Sequence, residues 1–132
     1  MKKQRLNLEY ELHSNSANII WSLISSAHGL EKWIADSVKR QDDSFIFRWG
    51  EEWGNHEIRK AYILSENKQE SIRLRWDNDE DKDAYWQLGM VKSDITNDYI
   101  LTVTDFAEAD DMESLRDIWD SNMEQLHRST GL

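Results

Sequence analysis

The sequence predicts an α+β domain: a curved antiparallel sheet of about six to seven strands packed around a long C-terminal helix, with two short helices after the first strand. Three observations predict it. Apolar and polar residues alternate at the start of the chain and again in runs from about residue 45 to 103. A spacing of three and four replaces that alternation between residues 17 and 34, and it returns over residues 112–126. Short connections between the alternating runs favour antiparallel pairing, and a sheet with its helices on one face buries every apolar stripe.

Taken in order, Leu6, Leu8, Tyr10 and Leu12 alternate with Asn7, Glu9 and Glu11, the two-residue period of a strand with one buried face. The cluster Ser14-Asn15-Ser16 supplies N-cap oxygens, and Ala17, Ile20, Trp21 and Ile24 follow on one helical face. Within NIIWSLISSAHGLEKWIAD, residues 18–36, Gly29 reads as the end or bend of that helix. Leu30, Trp33 and Ile34 give a second short one. Trp21 and Trp33 read as packing anchors that clamp these helices to the sheet, so Trp21→Ala is expected to cost ~3–5 kcal/mol as a large-to-small core change.

Strand patterns follow. Phe45, Phe47 and Trp49 alternate with Ile46 and Arg48; Ile72, Leu74 and Trp76 alternate with Arg73 and Arg75. Trp86, Leu88 and Met90 alternate with Gln87 and Gly89, and Tyr99, Leu101 and Val103 with Ile100 and Thr102. Residues 57–64 form another strand whose imperfect alternation suggests a bulge. Turn-rich pieces separate them at 41–43, 50–55, 65–67, 77–83 and 93–98. In the last segment Met112, Leu115, Ile118, Trp119, Asn122, Met123 and Leu126 share a helical face. Asp110, Asp111 and Glu113 at its start and His127 and Arg128 at its end match the helix dipole, and Gly131 lies near its stop. No repeat or linker divides the chain, so residues 1–132 read as a single domain.

Composition excludes several functions. Lys and Arg total 16 against 26 Asp and Glu, a formal charge of −10, which repels phosphate backbones and anionic membranes; no nucleic acid is expected as a partner. The basic run Lys2-Lys3-Gln4-Arg5 is the exception. The chain has no cysteine, so disulfides, thiolate metal sites and cysteine nucleophiles are excluded. Its start, MKKQRLNLEYELHS, has a positive flank but no apolar stretch, and no segment reaches the ~20 apolar residues that span a bilayer. No membrane insertion and a cytoplasmic location are the expectations.

Chemistry-bearing clusters are few. The run Asp77-Asn78-Asp79-Glu80-Asp81-Lys82-Asp83 lacks the glycine and the bidentate glutamate of a calcium loop, since Lys82 and Leu88 stand there; it reads as a solvated hairpin tip. The four histidines, His13, His28, His56 and His127, show no metal-ligand spacing. His56 and Glu57, adjacent on a strand, point to opposite faces. Asp105 and Glu108 read as a link into the last helix. Arg59, Arg73 and Arg75 are placed on the outer sheet face, where they pair across strands with Glu and Asp or dock a partner. The inward set is Phe47, Trp49, Leu74, Trp76, Trp86, Leu88, Leu101, Trp119 and Met123. These side chains either fill the core or line an apolar pocket.

This order of elements, and the residues that occupy it, resembles the START-like (helix-grip, SRPBCC) superfamily, and within it the AHSA-type branch of activators of heat-shock-protein ATPase. The resemblance is carried by Ile20-Trp21 and Leu30-Glu31-Lys32-Trp33, by Trp49-Gly50 with His56-Glu57-Ile58 and the strand closing on Trp76, and by Leu101 to Phe106 with Trp119 to Leu126. It implies a cavity between a gripped C-terminal helix and a curved sheet. Members bind lipids, hormones or polyketides, act as cyclases or dehydratases, or serve as chaperone partners, and fold alone does not choose. Our expectation is a non-enzymatic domain that holds a small hydrophobic molecule in that cavity, lined by the inward set, with no cofactor and no metal. The alternative is an interaction or chaperone-linked module acting through its surface on a protein partner or a second copy of itself. A cyclase-like enzyme has no polar constellation behind it; a buried, pKa-shifted acid or histidine inside the cavity would revive it.

Overall fold

Seven antiparallel strands form one sheet in the order β1-β7-β6-β5-β4-β3-β2. The strands are β1 (Gln4–Glu11), β2 (Ser37–Gln41), β3 (Ser44–Gly50), β4 (His56–Asn67), β5 (Ser71–Trp76), β6 (Trp86–Lys92) and β7 (Tyr99–Ala107). Helices α1 (Ala17–Ser25) and α2 (Ala27–Glu31) connect β1 to β2, and a single 3-10 turn, Ala109–Asp111, leads from β7 into α3 (Met112–Thr130). The computed structural model describes residues 3–132; Met1 and Lys2 lie outside it, and with them the first residue of the basic run.

Register explains which side chains face inward. Directly opposed residues of an antiparallel pair share a face. Leu8 opposes Val103, Leu88 opposes Val103 from the other side, and Ile72 opposes Leu88. All four are buried, as are Phe45, Phe47, Leu74, Trp86, Met90 and Leu101 on the same face. From α3 come Trp119, Met123 and Leu126, and from the short helices Ile20, Leu23, Ile24 and Leu30. The core therefore lies between one sheet face and the three helices, as binary patterning requires.

The short helices differ from the sequence expectation at their junction. The break falls at Ser26, which has extended backbone (φ −113°, ψ 151°), and Gly29 lies inside α2. Ser26 closes α1 and caps α2, its Oγ accepting from the Gly29 N–H at 2.9 Å. Glycine is needed at 29 for space: a Cβ there would sit 1.9 Å from the Ser22 carbonyl oxygen. The two helices thus touch backbone to backbone. Trp33, after α2, is 2% exposed and donates its indole N–H to the Leu23 carbonyl at 2.9 Å. Trp21 is only half-buried against the core, so the anchor is Trp33, and the large cost expected for Trp21→Ala belongs to Trp33.

Of three other local readings, one changes. β4 runs through Asn67, so the turn sits at 68–70 and not at 65–67, with Gln69 in the left-handed region at φ 61°. The register shift expected in this strand falls between Ile63 and Ser65. The acidic run after β5 is the largely exposed hairpin connection read from the sequence, and it is also tethered. The Arg75 guanidinium donates to the carbonyls of Asp79, Asp81 and Ala84 at 2.9–3.0 Å, and Lys3 Nζ meets the Asp79 carboxylate at 3.1 Å. Among the described residues no group of three or more His, Cys, Asp or Glu could hold a metal ion, and no helix is long and apolar enough to cross a membrane.

α3 ends where Gly131 takes φ 77° and returns its N–H to the His127 carbonyl. Polar contacts fix it along its length. The Tyr10 hydroxyl donates to Asp120 at 2.7 Å, the Trp119 indole N–H to Asp105 at 2.9 Å, and the Ser129 hydroxyl to the Lys32 carbonyl at 3.0 Å. Burial, with the Asp120 carboxylate beside it, pushes the Tyr10 phenol well above its ordinary value.

Candidate functional site

Between α3 and the sheet, toward the ends of β3–β5 that carry Trp49, Glu57 and Trp76, the packing opens into a pocket of about 320 Å³. β3 and β5 contribute Trp49 and Trp76, β4 contributes Glu57 and Arg59, and β6 and β7 contribute Trp86 and Asp105. Leu115, Ile118, Trp119 and Asn122 of α3 form the roof, and Ile34 closes one end.

Four of the nine inward residues predicted from the sequence, Trp49, Trp76, Trp86 and Trp119, stand on this wall. The other five, Phe47, Leu74, Leu88, Leu101 and Met123, are at most 4% exposed and lie in the packed core, away from the opening. The division has a packing reason: toward one end of the sheet α1, α2 and the C-terminal half of α3 fill the concave face. At the other end only the first half of α3 covers it. The indoles make one continuous ring contact, with centroids 6.2 Å apart for Trp49–Trp76, 5.2 Å for Trp76–Trp86 and 6.0 Å for Trp86–Trp119. Trp119 continues it to Trp33 at 6.0 Å.

The indole N–H groups differ. Trp49 donates to the Ile34 carbonyl at 2.8 Å and Trp119 to Asp105 at 2.9 Å. The Trp86 N–H is buried and has no hydrogen-bond partner among the described residues. Such orphaned donors are rare and costly in a native fold.

Asp105 corrects the sequence reading of a link into the last helix. It sits within β7, opposite Leu6 and facing inward. One carboxylate oxygen accepts from Trp119 and the other from the Phe106 backbone N–H at 2.8 Å. Burial raises its pKa to about 6, against the lowering effect of those two hydrogen bonds and of Lys3. The alternation of β7, read in the sequence as far as Val103, continues through position 105 and turns its carboxyl inward.

The arginines are corrected as well. Arg59 opposes Phe47, and Glu57 opposes Trp49, so both face inward. Ile58, Tyr62 and Leu64, which made this strand hard to read, are the exposed ones. The Arg59 guanidinium lies 4.0 Å over the Trp76 ring. Arg73 and Arg75 are on the outer face but do not pair with acids across strands. Arg73 stacks 3.9 Å over Tyr85 and donates to Gln87 at 2.8 Å, and Arg75 holds the 77–85 loop. His56 is exposed on the opposite face from Glu57, as strand geometry required.

Over residues 1–132 the sequence matches the model of the START-like superfamily domain. No curated protein matches it. Among solved structures it is similar to a Bacteroides fragilis protein determined by solution NMR, with 41% identity, 97% of this chain and 91% of that one covered, and a TM-score of 0.64. It is also similar to Aha1 from Colwellia psychrerythraea, described as a dimer, at 13% identity, 97% and 98% coverage and a TM-score of 0.75. An AHSA1-like protein from Aeromonas hydrophila shares 8% identity over 95% and 93% of the two chains, with a TM-score of 0.71. The last two share the fold. Helix grip, whole-length family match and a relative at 41% identity agree, and the chain belongs to the START-like superfamily.

Proposed function

We propose that this protein is a binding domain that takes a small, mostly apolar molecule into the pocket under α3. The observation that carries the reading is the pocket itself: about 320 Å³, walled mainly by four tryptophans with Ile34, Leu115 and Ile118, with Glu57, Arg59, Asp105 and Asn122 as its polar groups. Ligand sites have that character, and their volumes start at roughly 300 Å³. A one-ring molecule or a short chain fits; a long-chain lipid does not. Asp105 is a buried acid with a raised pKa inside the pocket, the feature that would revive an enzymatic reading. Binding remains the favoured reading because both of its oxygens already serve protein donors and the described lining holds no histidine or nucleophile beside it.

Native mass spectrometry of the purified chain tests the reading by revealing a co-purified small molecule, and Leu115→Trp supplies the control. Leu115 is a half-buried roof residue, so the larger side chain fills the pocket while leaving the core intact. The expected result is a folded variant that no longer retains the molecule. Unchanged retention in Leu115→Trp rejects the pocket as the site.

One observation favours a second reading, an interaction surface. Trp53, in the loop between β3 and β4, is 90% exposed, where a large aromatic anchor is available to a protein partner or a second copy of the chain. Sedimentation of the wild type and of Trp53→Ser distinguishes self-association through this loop from a monomer.

A further inference from the structure

We propose that the pocket selects an organic cation: a small molecule carrying an ammonium-type charge on a one-ring or short-chain apolar body. This rests on the pocket reading above and narrows it to a ligand class.

The walls come first. The polar edges of Trp49 and Trp119 are committed to protein acceptors, and the Trp86 N–H is itself buried. What these indoles offer an occupant is therefore ring surface. Ring faces are negative, and the indole face is the best of the aromatic side chains for a cation. A volume of about 320 Å³, about that of ten waters in the liquid, suits such a head group with a compact body.

The charges point the same way. Two carboxyl groups line the pocket, Asp105 within it and Glu57 at its exposed rim. Neither makes an ion pair among the described residues. The lining has one cation of its own, Arg59, and it does not neutralise either acid. Its guanidinium carbon lies 4.0 Å from the Trp76 ring centroid, a cation already held by a ring face of this wall. Arg59 also borders the neighbouring acidic cleft with Asp79, Glu80 and Glu108, so it has a second place to turn when the pocket fills. An anionic occupant would meet two like charges on the wall and a chain of net charge −10. A neutral one would leave the buried carboxyl without a counter-charge.

Isothermal titration calorimetry of the full chain near neutral pH tests this with three probes of matched size: benzyltrimethylammonium, 2-phenylethanol and 3-phenylpropionate. The cation is expected to bind about tenfold more tightly than either other probe, a difference of ~1.4 kcal/mol. Asp105→Asn and Glu57→Gln should each reduce that preference severalfold, read as the ratio of cation to 2-phenylethanol affinity within the same variant. Glu57→Gln, at the exposed rim, remains informative if Asp105→Asn fails to fold. The inference is overturned, with the pocket reading intact, if the alcohol or the carboxylate binds as tightly as the cation, or if the folded variants keep the full preference. If none of the three binds at millimolar concentration, the pocket reading falls with it.

Discussion

At Asp105, burial outweighs two hydrogen bonds and holds the carboxyl at about 6, above its ordinary 3.8. Between those values the native protein keeps a proton that the unfolded chain has released. The stabilisation from this group is therefore fully present below the lower value and is lost as pH rises through the upper one. A shift of that size corresponds to at most roughly 3 kcal/mol. We expect the Asp105 side-chain carbon to titrate near pH 6 by NMR, and its contribution to folding stability to decline between pH 4 and 6. A titration at an ordinary carboxylate value would show that the pocket is wetter than its walls suggest. The same scale explains why half of the site escaped sequence reading. Large indoles at alternating strand positions announce an inward face, which placed Trp49, Trp76 and Trp86, and helical spacing placed Trp119. Glu57, Arg59 and Asp105 obey the same alternation but are the wrong chemistry for a core. They are visible only once register puts Arg59 opposite Phe47 and Glu57 opposite Trp49.

Among the elements, the pair α1–α2 is held by close backbone approach at Gly29 and by the Trp33 side chain. Trp33→Ala removes a buried ring, its hydrogen bond to Leu23 and its contact with Trp119, and should cost ~3–5 kcal/mol in chemical denaturation. Trp21→Ala, at a half-buried site, should cost less than half as much; equal losses would contradict the division of labour between the two tryptophans. The loop after β5 makes a separate prediction. Arg75 binds three of its carbonyls, so Arg75→Ala should speed amide hydrogen exchange across residues 77–84 while leaving β6 and β7 protected. Exchange that stays slow would mean that Lys3 alone tethers the loop. Sequence reading found β1, β3, β5, β6 and β7 because their alternation is strong, found β4 despite its imperfect pattern, and assigned no strand at β2, where only Val38 is buried. It misplaced the α1–α2 junction because glycine usually marks an end, whereas here it serves helix contact and a serine makes the break.

For the whole molecule, the order strand, two helices, a run of strands, helix was legible from period alone, since each segment has one apolar face and only one arrangement of layers buries them all. Where the helices stop short of covering the sheet was not legible, because it depends on how far α3 reaches across the concave face, and that left core and pocket as equal readings. The charge of −10 is spread over this surface with only two described ion pairs, Lys3–Asp79 and Arg40–Glu66. Self-repulsion should therefore dominate over attraction at low ionic strength. Raising salt from about 0.01 M to about 0.5 M, which shortens the screening length severalfold, is expected to raise the melting temperature by a few degrees. A fall would mean that attractive networks outweigh the net charge.

The ring contacts have one more consequence. From Trp49 through Trp76, Trp86 and Trp119 to Trp33, each indole touches the next at 5.2–6.2 Å. Electronic excitation absorbed by any of the five can migrate along the chain, so they emit as a coupled set rather than as separate dyes. An occupant that quenches one pocket indole would drain light from Trp33 as well, which lies outside the pocket. The protein thus carries an unlabelled optical reporter of its own occupancy, read against the exposed Trp53, which stands apart from the set.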